Sequence, residues 1–564
     1  MTAATPDTVR PVRRHGGLRA AARVRVLARI EGRRLLARPT VLAGAGLSLL
    51  TMVTLTRTTA PVLNRDDTTA SAALLVLAAA TLLATNAAAL RSRRRATDEL
   101  LASMPTPPRV RTLASLCSVA GVVALAGLLG GAFLLWRLAA DPVTAPDPFE
   151  LLTGPALVAL GGCLGVALAR WAPSVTVAPV VVVGLAALEF SVNLLIGGSE
   201  YGGRVKWLAP FVGQHGVARE LLIRPTGWHL AYLVALVAVL GCVALLRHPA
   251  TRPTIATAGS AVLVLLLAGG AQLRPLDPAQ DPNALAAELT AAAAQDCEQR
   301  DDVTYCALPG YEPWVDRWAA TVEPVLARLP ERARPRPLTV RQDFLGTRLE
   351  SLADHGGPGT AAEPTHSEVR PGLWRGRNAG EGAYQFGLAL GVAALAVGLS
   401  PDGALSPADA LPGQVGEGLQ ACTPAGQARS VVALWLAGQT SERSAEYLRN
   451  EVERQGGTTA PATGTPAPEI YFARPAAHPI GALNFGGWEA AVAVQLLRQA
   501  PDHIAGLVDR HWDTLSDPAT TTDEALALLG ADYPAPGRPP ADVRGPGSTE
   551  AGSSGTDWRL VACP

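Results

Sequence analysis

Up to about residue 272 the chain alternates long uncharged apolar runs with short polar turns. Beyond that point apolar positions recur at helical spacing among charged ones. Seven runs come close to the ~20 apolar residues that a bilayer crossing requires. They are Pro39–Thr56, Ala70–Leu90, Thr112–Trp136, Phe149–Ala169, Val175–Ile196, Trp228–Leu246 and Thr254–Ala271. Ahead of them, Leu18–Leu36 interleaves Arg19, Arg23, Arg25, Arg29, Arg33 and Arg34 with Leu18, Val24, Leu27, Ile30, Leu35 and Leu36. This predicts a basic amphipathic helix lying on a membrane surface. The pattern as a whole predicts a polytopic α-helical membrane protein (six or seven transmembrane helices) followed by a mainly α-helical extracytoplasmic domain.

Charge orients this layout. The first 38 residues carry ten arginines against Asp7 and Glu31, and the segment Arg91–Arg111 (RSRRRATDELLASMPTPPRVR) carries six. The positive-inside bias puts both on the cytoplasmic face. The turns Arg170–Ser174 and Arg247–Pro253 follow on that side, and with seven crossings everything after Gln272 is exported. The expected domains are therefore a basic cytoplasmic segment at 1–38, a membrane domain at 39–272 and an extracytoplasmic domain at 273–564. Gly/Pro-rich linkers are expected at 456–468 and 534–556. Lys206 is the single lysine. A basic terminus beside a membrane span is a topology signal and an anionic-lipid contact, and no nucleic-acid partner is expected.

Cysteines follow the same division. Cys117, Cys163 and Cys242 lie in apolar runs, where a thiol acts as a small hydrophobic group. Cys297, Cys306, Cys422 and Cys563 lie in the polar half, an even number that fits two disulfides in an oxidising compartment, with the pairing open.

In the polar half, helices are expected at Ala284–Ala294, through the Trp314/Trp318/Val322/Val325/Leu326/Leu329 periodicity, at Ala428–Gly438, at Trp488–Leu507 and at His511–Leu529. The best strand signals are Leu338–Arg341 and Ile470–Ala473. Gly382–Leu399 reads as a buried core helix, with an eighth span as the alternative.

Candidate chemistry is sparse. There is no GxxxxGK[ST] phosphate loop, no HExxH zinc helix and no GxSxG elbow. His366, Glu368, His503, His511 and Asp513 are of ligand type but lack a third ligand at a fitting spacing. No cofactor or metal is expected, and nothing argues for catalysis. Glu189, four residues before Asn193, is a carboxylate well inside an apolar run, where it must face protein or water. It either lines a route through the membrane or bonds a neighbouring helix or the outer segment. Gly197–Gly227 contains VKWLAPFVGQHGVARELL, too charged to span and too apolar for a free loop. It reads either as short helices dipping into the outer leaflet or as an interfacial helix anchored by Trp207 and Trp228.

This layout resembles the permease subunits of ABC-2 type transporters over roughly residues 18 to 250. The resemblance rests on RVRVLARIEGRRLLARP before the first span, on the segment after the second span, and on the outer amphipathic stretch before the sixth. It implies a coupling helix at Asp98–Met104, with Asp98, Glu99, Leu100 and Met104 against the ATPase and Arg109 and Arg111 flanking. It also implies a separate ABC ATPase subunit, a homodimer or heterodimer of permeases, the lipid bilayer of the cytoplasmic membrane as surroundings, and no catalysis on this chain. Six spans are usual there; a seventh would export a domain of nearly 300 residues. Some such permeases resemble fusions to metallopeptidase-like domains, and without HExxH this one is not expected to be an active zinc peptidase. The rival expectations are a membrane-anchored surface or sensor protein whose ectodomain binds a ligand or partner, and a membrane enzyme with an unrecognised site.

Overall fold

The computed structural model describes residues 15–97, 106–192, 205–211, 225–274, 291–342, 381–399, 420–454 and 485–532, with short pieces at 285, 288–289, 368–369, 371, 469–470 and 559–562. The basic amphipathic helix is α1 (His15–Leu36). It leads through Arg38 into α2 (Pro39–Thr56), whose first residue is a proline, suited to a first turn that needs no N–H donor. Next come α3 (Leu63–Ala89) and, after a single turn at Arg91–Arg94, α4 (Pro108–Ser118) and α5 (Ala120–Leu138). The membrane half ends with α6 (Pro148–Trp171), α7 (Val177–Ser191), α8 (Thr226–Leu246) and α9 (Arg252–Gln272).

Six helical stretches among the described residues are long and apolar enough to cross a membrane: α2, α3, α4 with α5, α6, α8 and α9. Large apolar side chains such as Leu47, Leu128, Val180, Val183 and Leu266 are exposed on them and on α7, as lipid-facing surfaces require. The predicted run Thr112–Trp136 is broken at Val119. There the Ser118 hydroxyl donates back to Ser115 O (2.7 Å) and Val119 N reaches Leu116 O instead of the residue four back.

The fifth predicted run, Val175–Ile196, holds α7, whose 15 residues rise about 22 Å. Packing shows what that stretch must accomplish. Helices α6 and α8 run in the same direction, since Gly227 lies by Phe149 at one end and Trp171 Nε1 donates to Val243 O (2.8 Å) at the other. The chain therefore travels back along the bundle between Trp171 and Thr226, and α7 is the helix described there.

α3 and α6 are also parallel and pack most closely of all. A Cβ on Gly161 would fall 2.4 Å from Ala78 O, and one on Gly165 would fall 2.2 Å from Thr85 Oγ1. Gly161 and Gly165 thus form a small-residue seam where two backbones touch. Asn86 Nδ2 crosses it to Gly165 O (3.2 Å).

The described residues of the C-terminal half are mainly helical: α10 (Val315–Arg328), α11 (Glu381–Ala396), α12 (Ala428–Gly438), α13 (Glu442–Arg454), α14 (Gly487–Leu496), α15 (Pro501–Arg510) and α16 (Thr522–Leu529). Trp314, Trp318, Phe386, Trp435 and Phe485 fill one core between them. The run Gly382–Leu399 corresponds to α11, a core helix whose Leu388, Ala389, Val392 and Ala393 are fully buried. A four-stranded sheet in the order β1–β2–β3–β4 flanks the core: β1 (Asp296–Arg300), β2 (Val303–Ala307), β3 (Leu338–Arg341) and β4 (Glu368–Val369). β1 and β2 are antiparallel, and the other two pairings are parallel. Short two-stranded pairings join Gln420–Thr423 with Arg559–Ala562 and Glu469–Ile470 with Phe485–Gly486. Of the predicted strand Ile470–Ala473, residues 471–473 lie outside the described ones, as do most of Ala284–Ala294 before residue 291 and both predicted linkers.

Candidate functional site

At one end of the bundle the helices gather arginine. Arg38 follows α1, Arg91 follows α3, Arg111 lies on α4, Arg170 ends α6, and Arg247 and His248 follow α8. All of these line one cavity of about 1100 Å³. Glu31 of α1 accepts from Arg91 at 3.4 Å and from Arg34 at 3.2 Å. Arg38 Nη1 donates to Ala84 O (2.7 Å) near the end of α3. Burial and the neighbouring Arg91 push the Arg38 guanidinium below its usual range. His248 shares a hydrogen bond with Thr112 Oγ1 (2.9 Å). Its pKa is lowered by burial first and then by Arg170, Arg109, Arg247 and Arg111. The histidine thus registers a positive local field.

The expected coupling residues Asp98, Glu99, Leu100 and Met104 lie outside the described residues. Their flanks are described. Arg109 Nη2 donates to Thr254 Oγ1 and Nη1 to Pro249 O (3.4 Å), tying the start of α4 to the start of α9. Arg111 faces the cavity two residues on. The segment between α3 and α4 therefore leaves from a turn bound to α1 through Arg91–Glu31 and returns to one bound to α9 through Arg109.

Toward the opposite end, Glu189 of α7 accepts a hydrogen bond from Phe211 N (3.3 Å), so it bonds the segment before α8. Asn193 lies outside the described residues. Trp207 and Phe211 in that segment are buried, whereas Trp228 is exposed. Buried His229 of α8 holds the segment: its Nδ1 lies 3.2 Å from Trp207 O and 3.0 Å from Gln272 Oε1, and its Nε2 lies 3.1 Å from Pro210 O. Protein thus covers Trp207 and Phe211 and leaves Val205 exposed, so the segment is anchored at two of its aromatic side chains.

At that end sits a group of residues that the local pattern does not single out. Arg137, at the end of α5, is fully buried and uses all of its nitrogens. Nε donates to Asp66 Oδ2 (2.7 Å), Nη1 to Thr56 O (2.9 Å), and Nη2 to Thr59 O (3.1 Å) and Ala60 O (2.9 Å). It thereby closes the carbonyl end of α2 and fixes the first turn of α3. Next to it Leu63 N donates to Val143 O (3.1 Å), Val143 N to Pro61 O (3.1 Å) and Thr144 N to Gly310 O (2.9 Å). Ala60, Val62 and Val143 belong to the same apolar core as Tyr305, Tyr311 and Trp318. The C-terminal domain is therefore seated on the α2–α3 and α5–α6 connections, at the end of the bundle opposite the arginines. A sequence signal did exist, in Asp66, Asp67 and Arg137 at the edges of apolar runs. It reads equally well as solvated charge.

Cys297 and Cys306 form a disulfide across β1 and β2. Cys422 stands opposite Val561 in its strand pairing, and Cys563 lies outside the described residues. Cys163 and Cys242 are buried and Cys117 is exposed on α4. Of the ligand-type residues, Asp513 lies 3.5 Å from Arg332, and His366 is outside the described residues. Among the described residues no three His, Cys, Asp or Glu side chains gather as a metal site would require.

Fold and sites together define a multi-pass helical membrane protein with a mainly helical C-terminal domain. No protein family, curated protein or solved structure matches the chain.

Proposed function

We propose that the chain is the membrane-spanning permease subunit of an ABC transporter. ATP hydrolysis takes place on a separate chain, and this subunit pairs with a second permease in the cytoplasmic membrane. The arginine end faces the cytoplasm, by the positive-inside bias. The C-terminal domain lies outside, where the Cys297–Cys306 disulfide is stable. One observation carries the reading: both flanks of the segment holding Asp98 and Glu99 are bonded to other helices, through Arg91–Glu31 and Arg109–Thr254. A push on that segment passes directly to α1, α4 and α9. In this reading the seat of the C-terminal domain on Ala60, Val62 and Val143 lets it follow the same helices, gating or receiving substrate.

The test is purification of the tagged protein from its native membranes in mild detergent, followed by mass spectrometry. A nucleotide-binding ATPase at near-equal stoichiometry, lost in Asp98→Arg/Glu99→Arg, is the expected result. Its absence under conditions that preserve a known ABC transporter would overturn the reading in favour of a membrane-anchored surface or sensor protein.

A further inference from the structure

We propose that the arginine-lined cavity is a binding site for a phosphate-bearing anion. Charge orientation alone does not explain its geometry. The positive-inside bias is satisfied by any cation near a helix end, and solvated ones serve it best. Here seven arginines from five parts of the chain, with Arg91, Arg93 and Arg95 all on the turn after α3, converge on one concavity, and Glu31 is the one carboxylate among the described residues that line it. Arg38, Arg91, Arg111 and Arg170 are half-buried there, which removes part of their hydration. Cations brought together in this way repel one another, and an anion placed among them offsets that cost.

Residue type narrows the anion. Guanidinium forks arriving from several directions suit a tetrahedral group with three or more acceptor oxygens better than a single planar carboxylate. Burial lowers the pKa of His248 first, and Arg170, Arg109, Arg247 and Arg111 lower it further, as expected beside a group of cations. Leu27, Leu35, Leu90 and Val166 give the same cavity an apolar wall, able to lie against the non-phosphate part of a ligand. Basic pockets between helices at the cytoplasmic face are a general means of holding lipid headgroups. A soluble phosphate compound offers the same chemistry.

The experiment uses the full chain, delipidated in neutral detergent. It needs no ATPase, so its outcome is separate from that of the permease reading. Phosphatidylglycerol, phosphatidylcholine and inorganic phosphate are titrated in turn, with native mass spectrometry and the thermal midpoint as readouts. Two triple variants of equal charge change are compared. Arg111→Gln/Arg170→Gln/Arg247→Gln empties the cavity wall, and Arg23→Gln/Arg25→Gln/Arg29→Gln strips the exposed face of α1.

The expected result is saturable one-to-one binding of phosphatidylglycerol over phosphatidylcholine, weakened about tenfold or more by the cavity variant and less than about twofold by the surface variant. Raised stability of the native chain on ligand addition supports the site even where the cavity variant folds poorly. Phosphate that competes with phosphatidylglycerol, or binds in its place, identifies a soluble source; phosphate without effect identifies the lipid headgroup. Equal losses in both variants, or no saturable binding to either probe, would overturn the proposal.

Discussion

Arg137→Met removes the guanidinium at the seat of the C-terminal domain while keeping an unbranched apolar stem. Four acceptors lose a donor at once, the Asp66 carboxylate and the carbonyls of Thr56, Thr59 and Ala60, although Thr56 O still accepts from Thr59 N and Oγ1. Asp66 is about as buried as Arg137, so its charge is left in a poorly solvated position. Breaking a buried ion pair from one side costs about 3 to 5 kcal/mol. Water can reach some of the three carbonyls once the side chain is gone, so the upper part of that range is a ceiling. Asp66→Asn is milder, about 1 to 3 kcal/mol, because Arg137 keeps its three carbonyl acceptors. The double variant Asp66→Asn/Arg137→Met should be less damaging than the two single costs added together, since it leaves no unpaired charge. A coupling of about 2 kcal/mol is expected. The assay is the midpoint of thermal aggregation in detergent for the four proteins, with limited proteolysis of the C-terminal domain alongside. Strict additivity, or an Arg137→Met cost no greater than that of Arg25→Met on the exposed face of α1, would refute the reasoning.

The remaining predictions need less argument. Gly161→Leu should cut folded yield sharply, because even its Cβ would enter Ala78 O, whereas Gly46→Ala, with nothing within 4 Å, should leave yield unchanged; fluorescence-detected gel filtration compares them. Cys297→Ser should cost about 3 kcal/mol in urea unfolding of the C-terminal domain. In the unsubstituted chain unfolded without reductant, Cys297 and Cys306 should resist alkylation if that domain is outside; ready labelling would count against export. Glu489 is buried, and burial raises its pKa, opposed in part by hydrogen bonds from the Thr522 hydroxyl and Gly426 N. A carboxyl whose folded pKa is raised gives stability that is full below its unfolded value and lost as pH rises through the folded one. The midpoint of the C-terminal domain should therefore fall as pH rises above the ordinary carboxylate range, and Glu489→Gln should flatten that fall. His248 should titrate below the usual histidine value by NMR and move back up in Arg170→Gln; an unchanged value would remove the arginines as the cause.

The membrane helices were legible because a crossing needs a long uncharged run, and a run of that kind is visible in one dimension. Pro39–Thr56 agrees with its helix end for end, and Thr254–Ala271 falls within α9. What failed was long-range pairing. Ala70–Leu90 begins seven residues later than α3, because Asp66 and Asp67 read as solvated outer charges. Both are buried, Asp66 against a residue 71 positions away, and no local pattern encodes that. The β1–β2 hairpin was missed for another reason. The stretch EQRDDVTY between Cys297 and Cys306 is mostly polar, and β1 is exposed over most of its length, so it lacks the alternation that marks a half-buried strand. Its turn is the pair Asp301–Asp302, with Asp301 at φ +50°, a conformation that aspartate tolerates better than most residues. Cavity-lining arginines were each visible, but only as charge at the ends of separate runs. Their convergence depends on α1, α3, α4, α6 and α8 ending at one level.

That common level also bears on how the two ends of the molecule can communicate. Helix α3 reaches from the Arg137 site, through Asp66, to the arginine cavity, through Ala88, Ala89 and the following Leu90. Along its length it is locked to α6 by the Gly161–Gly165 seam, where Ala78 O and Leu82 O leave no room for even a Cβ. A helix pair packed backbone to backbone moves as a unit, because sliding one against the other drives carbonyl into carbon. A shift imposed at the arginine end is thus delivered to the α2–α3 and α5–α6 connections, where the C-terminal domain rests on Val62, Val143 and Thr144. Gly161→Ala places a single Cβ 2.4 Å from Ala78 O, so the two backbones must part at this seam. If the chain is the permease proposed above and the pair is its transmitting element, Gly161→Ala in protein that still folds should separate substrate movement from ATP hydrolysis while leaving ATPase binding intact. Equal loss of both would show that the seam serves folding alone.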